Sequence, residues 1–343
     1  MSAGSFLLDP ADRARRRVVR LAALTALGRA CMRDRGVRLP LLALAHGGVA
    51  LVLATVAPMW TLLIGPLFLG VPHLVADLRY LVIERPHALR TAQIVAIAIP
   101  LVLLTIAGVL FPASGLVLTV PGIAAVAGAV AFAGGGRGAR AIALVALAGI
   151  AVPLCREAPM ALLVLAHAHN AIAIALWLAL STSRRAALRG IAAVVLLAGA
   201  ALIASGALDA IPVVLGAWIT PAGGFDPESV GESLALPGLG ASRSLMLYAY
   251  AQAVHYAVWL RLVPGERSAT DAPVSFRRGA GGLRAALGAP VFVIAIVVAV
   301  ALPLAGFFRA AEARHLYLEI AGFHAWLELA VGAHLALAFV RPK

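Results

Sequence analysis

Seven of the nine histidines, His46, His73, His167, His169, His255, His324 and His334, fall within long apolar stretches. An imidazole in hydrocarbon is unfavourable unless it faces other protein groups and finds a partner among them. Neutral imidazoles bind iron, copper and zinc well, and a mostly histidine ligand set leaves coordination positions open for oxygen or water. The remaining two, His87 and His315, fall at loop or interface positions and are expected to meet water.

Spacing sharpens this reading. Asp77 follows His73 at i+4, one turn along the same helix face, where a carboxylate can orient the imidazole or bind the metal itself. Gly65, Pro66, Gly70 and Pro72 loosen the helix just ahead of them. His324 and Glu328 repeat the i, i+4 spacing, which suits metal ligation in a bundle, a proton relay or a structural hydrogen bond. Gln252 and His255, at i and i+3, share a face among Tyr248, Tyr250, Tyr256 and Trp259, aromatic residues suited to shaping an apolar pocket.

His167 and His169 are about 200° apart around a helix, so only one is expected at a shared site. His169, beside Asn170, is the better placed, and His334 falls on a different face from His324. At about 1.5 Å per residue, His46, Asp77, His255 and His334 lie roughly 10 Å from the cytoplasmic helix ends, His73 about 15 Å, and His169 and Glu328 about 17 Å. The same count puts His167 and His324 nearer the outer face. The expected ligands are therefore His46, His73, His169 and His255, with His167 and His324 as further candidates, and Asp77, Gln252 and Glu328 as the catalytic polar groups.

The elements that must carry these residues follow from composition. With 62% hydrophobic and only 13% charged residues in 343, the chain is too apolar for a soluble domain and reads as an all-α, multi-pass membrane bundle. Ten spans are expected at 39–57, 59–83, 89–110, 114–132, 139–154, 159–180, 190–207, 244–262, 290–308 and 316–340. The fifth is the shortest and the candidate for a re-entrant segment. With both termini cytoplasmic, all of the 28 Lys and Arg except Arg156, Arg243, Arg309 and Arg314 fall on the inner side, as the positive-inside rule requires in the cytoplasmic membrane of a bacterium.

Residues 1–38 hold nine arginines between Ala11 and Arg38 with Val18, Leu21, Leu24 and Leu27 among them, the pattern of an amphipathic helix on the inner membrane surface. Residues 39–343 form the membrane domain, with an outer loop at 208–243 expected to be a cap of short helices with Trp218 and Phe225 at the interface, and a flexible inner loop at 263–289. The net charge of +13 sits beside spans, so anionic lipid is the expected partner and nucleic acid is not. Cys31 and Cys155 are on opposite sides and offer no disulfide or zinc framework. There is no Walker loop, Cys-x-x-Cys or His-Glu-x-x-His motif.

The segment Gly70-Val71-Pro72-His73-Leu74-Val75-Ala76-Asp77 resembles the Gly-x-Pro-His-Gly-x-x-Asp segment of the bacterial and archaeal β-carotene dioxygenase family, the bacterio-opsin-related proteins. His46 is similar to that family's first-helix histidine, and His255 with Trp259 and Arg261 resembles its Trp-His-x-x-x-His region. The chain departs from the pattern in having Leu74 after the histidine and no second histidine four residues after His255. The resemblance implies a multi-span enzyme that cleaves a carotenoid with histidine-bound iron, His73 as ligand and Asp77 as its support. The residues alone also admit a haem or quinone electron-transfer protein with a histidine axial pair, and a proton-coupled transporter using Asp77, Glu328 and the histidines.

Overall fold

The computed structural model describes residues 3–84, 89–111, 115–134, 136–181, 185–215, 226–268 and 270–339, and among them the chain is all-α. His87, Trp218 and Phe225 lie outside the described residues. A helix stands at each of the ten expected spans. Eight are long and apolar enough to cross a membrane: Arg35–Val56, Pro58–Ile83, Thr91–Leu110, Arg137–Arg156, Ala158–Leu180, Ala186–Ala204, Ala289–Phe308 and Ala310–Ala338. Gly115–Ala131 is apolar but shorter, and Ala241–Ala257 is not among the eight. The fifth span, the shortest of those expected and the candidate for a re-entrant segment, is an unbroken 20-residue helix.

Four helices form the inner ring: Pro58–Ile83, Phe323–Phe339, Ala158–Leu180 and Ala241–Ala257, each packed on the next. Small residues permit the close approaches around them. A β-carbon on Gly122 would fall 2.2 Å from the Trp326 ring, so Gly115–Ala131 can press on the last helix only because glycine is there. On the same side Gln93, fully buried, donates from Nε2 to Ala129 O at 2.8 Å and lies 2.7 Å from His334 Nδ1. His334 thus ties helices together, away from the histidines discussed below.

The ring helices are not regular. Gly65–Leu69 and Leu78–Ile83 are π turns on either side of His73 and Asp77, and Val258–Leu262 is a third, directly after the helix carrying His255. Proline at 66 and 72 removes backbone donors and displaces the carbonyls a turn before, and a widened turn absorbs that conflict.

The surface segments are more ordered than a basic tail and a flexible loop. The N-terminal region is two helices, Ala3–Ala22 and Ala26–Arg33, the second capped by Thr25, and the first membrane helix starts at Arg35 with Asp34 as its cap. The inner loop contains the helix Phe276–Leu287, whose first amides Phe276 and Arg277 donate to the Asp12 carboxylate at 2.9 and 3.3 Å. Arg15 adds a bond to Pro273 O at 3.1 Å. Two amphipathic helices therefore brace each other through an unlike charge at a helix N-terminus. The outer connection includes the short helices Ala210–Leu215 and Pro227–Ser233.

Candidate metal centre

Each inner-ring helix contributes one imidazole to a common layer. Ring centroids are 5.2 Å apart for His73 and His255, 4.9 Å for His255 and His169, 5.0 Å for His169 and His324, and 5.0 Å for His324 and His73. His255 and His324 face each other across this square at 5.7 Å. His73, His169 and His255 are buried and His324 is half-buried. Depth counting placed His324 nearer the outer face and His255 nearer the inner. The structure levels them because the helix through His255 continues past its expected end at 262 as Val263–Glu266, which sets His255 further from that end.

One turn along, at i+4, the four helices carry Asp77, Ala173, Trp259 and Glu328, all fully or almost fully buried. Asp77 Oδ2 is 3.9 Å from His73 Nε2. Glu328 Oε1 accepts a 2.6 Å hydrogen bond from Trp259 Nε1 and lies 3.5 Å from His255 Nε2. A tier of imidazoles thus rests on a tier of two carboxylates and an indole.

The imidazoles are oriented. His169 Nδ1 points to Leu165 O at 3.1 Å and His324 Nδ1 to Ala321 O, so in each the N–H donates to backbone and Nε2 is left with its lone pair. His73 Nδ1 lies 3.4 Å from the Tyr317 hydroxyl, again leaving Nε2, which faces Asp77. Tyr317 fits only because residue 70 is glycine: a β-carbon there would fall 2.5 Å from its ring. Tyr256 closes the layer with its ring 4.7 Å from His73, and a β-carbon on Gly65 would fall 2.7 Å from it. The glycines before His73, which read in sequence as helix-loosening, make room for the aromatic residues that wall the site.

One donor atom from each of His73, Asp77, His255 and His324 lies within 4.8 Å of all the others, a group able to hold a metal ion. Bonds near 2.1 Å put opposite ligands of one metal about 4.2 Å apart, so small side-chain rotations close the site. The polar atoms agree. His73 Nε2, both oxygens of Asp77, Glu328 Oε2 and both nitrogens of His255 are buried without a hydrogen-bond partner. Such groups are costly in a protein interior, and a divalent cation would satisfy the lone pairs and offset two carboxylate charges.

The other expected residues sit elsewhere. His46 is half-buried on the Arg35–Val56 helix with Nδ1 2.7 Å from its own Leu42 O, and among the described residues it makes no ring contact with the four. His324 occupies the fourth corner that depth counting gave to His46. His167 bonds Leu234 O of the outer cap at 3.1 Å and packs on Tyr248, with ring centroids 5.1 Å apart. Gln252 is buried near Gly65, with Oε1 free of hydrogen bonds. Sequence reading named Trp259 only as one of the aromatic residues shaping a pocket around His255, and it passed over Tyr317. The i+4 rule that picked out Asp77 and Glu328 also points from His255 to Trp259, and Tyr317 precedes His324 by two turns.

No family model, no curated protein and no solved structure matches this chain, so the chemistry of the site rests on its own residues.

Proposed function

We propose that the protein is a membrane-embedded non-haem iron oxygenase of an apolar isoprenoid or lipid, with a carotenoid-like chain as the model substrate. The observation that carries this reading is the square of four imidazoles over Asp77 and Glu328 inside a lipid-bathed bundle. A bound iron would supply oxygen activation. His73, His169, His255 and His324 would hold it, with Asp77 as a further ligand or as the partner that orients His73. The tyrosine and tryptophan walls exclude water from the site.

The surroundings suit an apolar substrate. A cavity of about 230 Å³ is lined by Leu78, Phe323 and Leu327, the sequence neighbours of Asp77, His324 and Glu328, and by residues of Thr91–Leu110. A second, of about 340 Å³, runs along Val71, Pro72, Val75 and Trp259. Both border the site helices with few polar groups, which favours hydrocarbon over a hydrophilic solute. Haem is less well supported, because imidazole rings in mutual edge contact leave no slot for a macrocycle between an axial pair. The resemblance of residues 70–77 to the β-carotene dioxygenases points the same way as the site.

Elemental analysis of detergent-purified protein tests the reading: about one iron per chain and oxygen consumption that depends on added carotenoid are expected. A Soret band would establish haem instead, and protein free of metal after gentle purification would favour proton-coupled transport. The proposed setting is the cytoplasmic membrane of a bacterium, ten spans with both termini inside. Reporter fusions at Gly281 and Gly238 should then report cytoplasm and exterior, and the same side for both would break the topology.

A further inference from the structure

Three of the four imidazoles are held by one nitrogen so that the other faces the site: His169 by Leu165 O, His324 by Ala321 O and His73 by the Tyr317 hydroxyl. His255 is the exception, since among the described residues neither of its nitrogens has a hydrogen-bond partner, although the residue is only 1% exposed. The nearest fitting group is Glu328 Oε1, 3.5 Å from His255 Nε2. That oxygen is fixed from its far side by the Trp259 indole N–H at 2.6 Å. Trp259 has no exposed surface and stands in the Val258–Leu262 π turn, one turn after His255 on the same helix.

We infer that Trp259 and Glu328 form a positioning pair for His255, in which the indole pins the carboxylate and the carboxylate accepts the His255 Nε2 proton, so that His255 presents Nδ1 to the metal. The inference rests on the proposed metal centre and adds to it which nitrogen binds and what fixes it. Closing the 3.5 Å gap takes a small rotation of an imidazole that is packed among other rings but held by no hydrogen bond among the described residues. A carboxylate partner raises the basicity of the imidazole and locks its tautomer, the role such groups serve behind metal-bound histidines. Trp259 and Glu328 are then one unit: removing either releases the same ring.

The test uses full-length protein in detergent, stripped of metal and titrated with Co²⁺ alone, with affinity and the visible ligand-field spectrum as readouts. Trp259→Phe and Glu328→Gln should each weaken Co²⁺ binding by about 10- to 100-fold and shift the spectrum alike. The double variant should be little worse than either single one, because the two act in series. Trp326→Phe, at a buried tryptophan that packs on Gly122, serves as the control for loss of an indole and should leave both readouts unchanged. Melting temperature, measured without metal, separates a loosened fold from a loosened ligand. Trp259→Phe indistinguishable from wild type overturns the inference. So does complete loss of Co²⁺ in Glu328→Gln with Trp259→Phe unaffected, which would make Glu328 a ligand. Wild-type protein that binds no metal removes the metal centre itself, a different result from normal wild-type binding with unchanged variants.

Discussion

The inner ring and the outermost helices obey opposite rules. Ala289–Phe308 is the most apolar of the eight membrane-length helices and buries almost nothing, only Leu302 and Gly306; Arg137–Arg156 buries no residue at all. Ala310–Ala338 is the least apolar and is half buried, as is Pro58–Ile83. In water the most hydrophobic helix would be the core. In lipid the solvent takes that role, and polar groups collect where helices face one another. Irregularity follows the same division, since the three π turns among the described residues lie in helices that border the site, while the outer two are plain α-helix. A regular helix is the safest way to satisfy backbone groups against lipid, and widened turns are tolerated only where protein surrounds them.

The largest expected contrast between the regions is in metal binding. If the proposed centre holds a metal, His73→Ala or His255→Ala should remove most of it, whereas Val293→Ala, on an exposed position of Ala289–Phe308, should leave the metal content unchanged. Equal loss in all three variants would mean that metal content reports global folding and would dissolve the contrast.

Next in size is packing. Gly70→Ala places a methyl 2.5 Å from the Tyr317 ring, and the overpacking should cost about 1 to 3 kcal/mol, read as a lowered melting temperature in detergent. Gly149→Ala on Arg137–Arg156 meets no atom within 4 Å and should be neutral or stabilising by up to about 1 kcal/mol through helix propensity. A destabilising Gly149→Ala would show that this helix has a protein neighbour in the membrane, and so would sharpen the comparison into one about assembly.

The smallest effect is expected at the end of the bundle where Arg35–Val56 begins, where neither rule applies. Asp34 caps the first membrane helix and accepts from Arg185 Nε at 2.7 Å. The Arg185 hydrogen bond, the largest effect, together with the Gly36 amide holds its carboxyl below the ordinary value of 3.8 against the opposing effect of burial. A depressed carboxylate contributes stability that is present above its unfolded value and is lost as pH falls through the folded one. Acidification from neutral pH to below about 4 should therefore lower the melting temperature of wild type slightly more than that of Asp34→Asn, by a difference worth at most about 1 kcal/mol for so exposed a pair. Identical pH profiles would show the contact to be absent in solution.

Composition and periodicity were enough for the all-α membrane class and for the positions of ten helices, because covering hydrocarbon demands long apolar runs whose ends are marked by charge and proline. The i, i+4 pairs His73/Asp77 and His324/Glu328 were equally legible, since one helical turn is a local matter. Which imidazoles meet was not. His324 rather than His46 completes the square because helix ends and the length of the last helix set relative depth, and neither of these is readable to within a turn from a single sequence. The service of Trp259 to Glu328 and of Tyr317 to His73 joins residues 69 and 244 positions apart. Such contacts belong to the crossing of helices, and only the tertiary structure, through the glycines that let those helices approach, decides them.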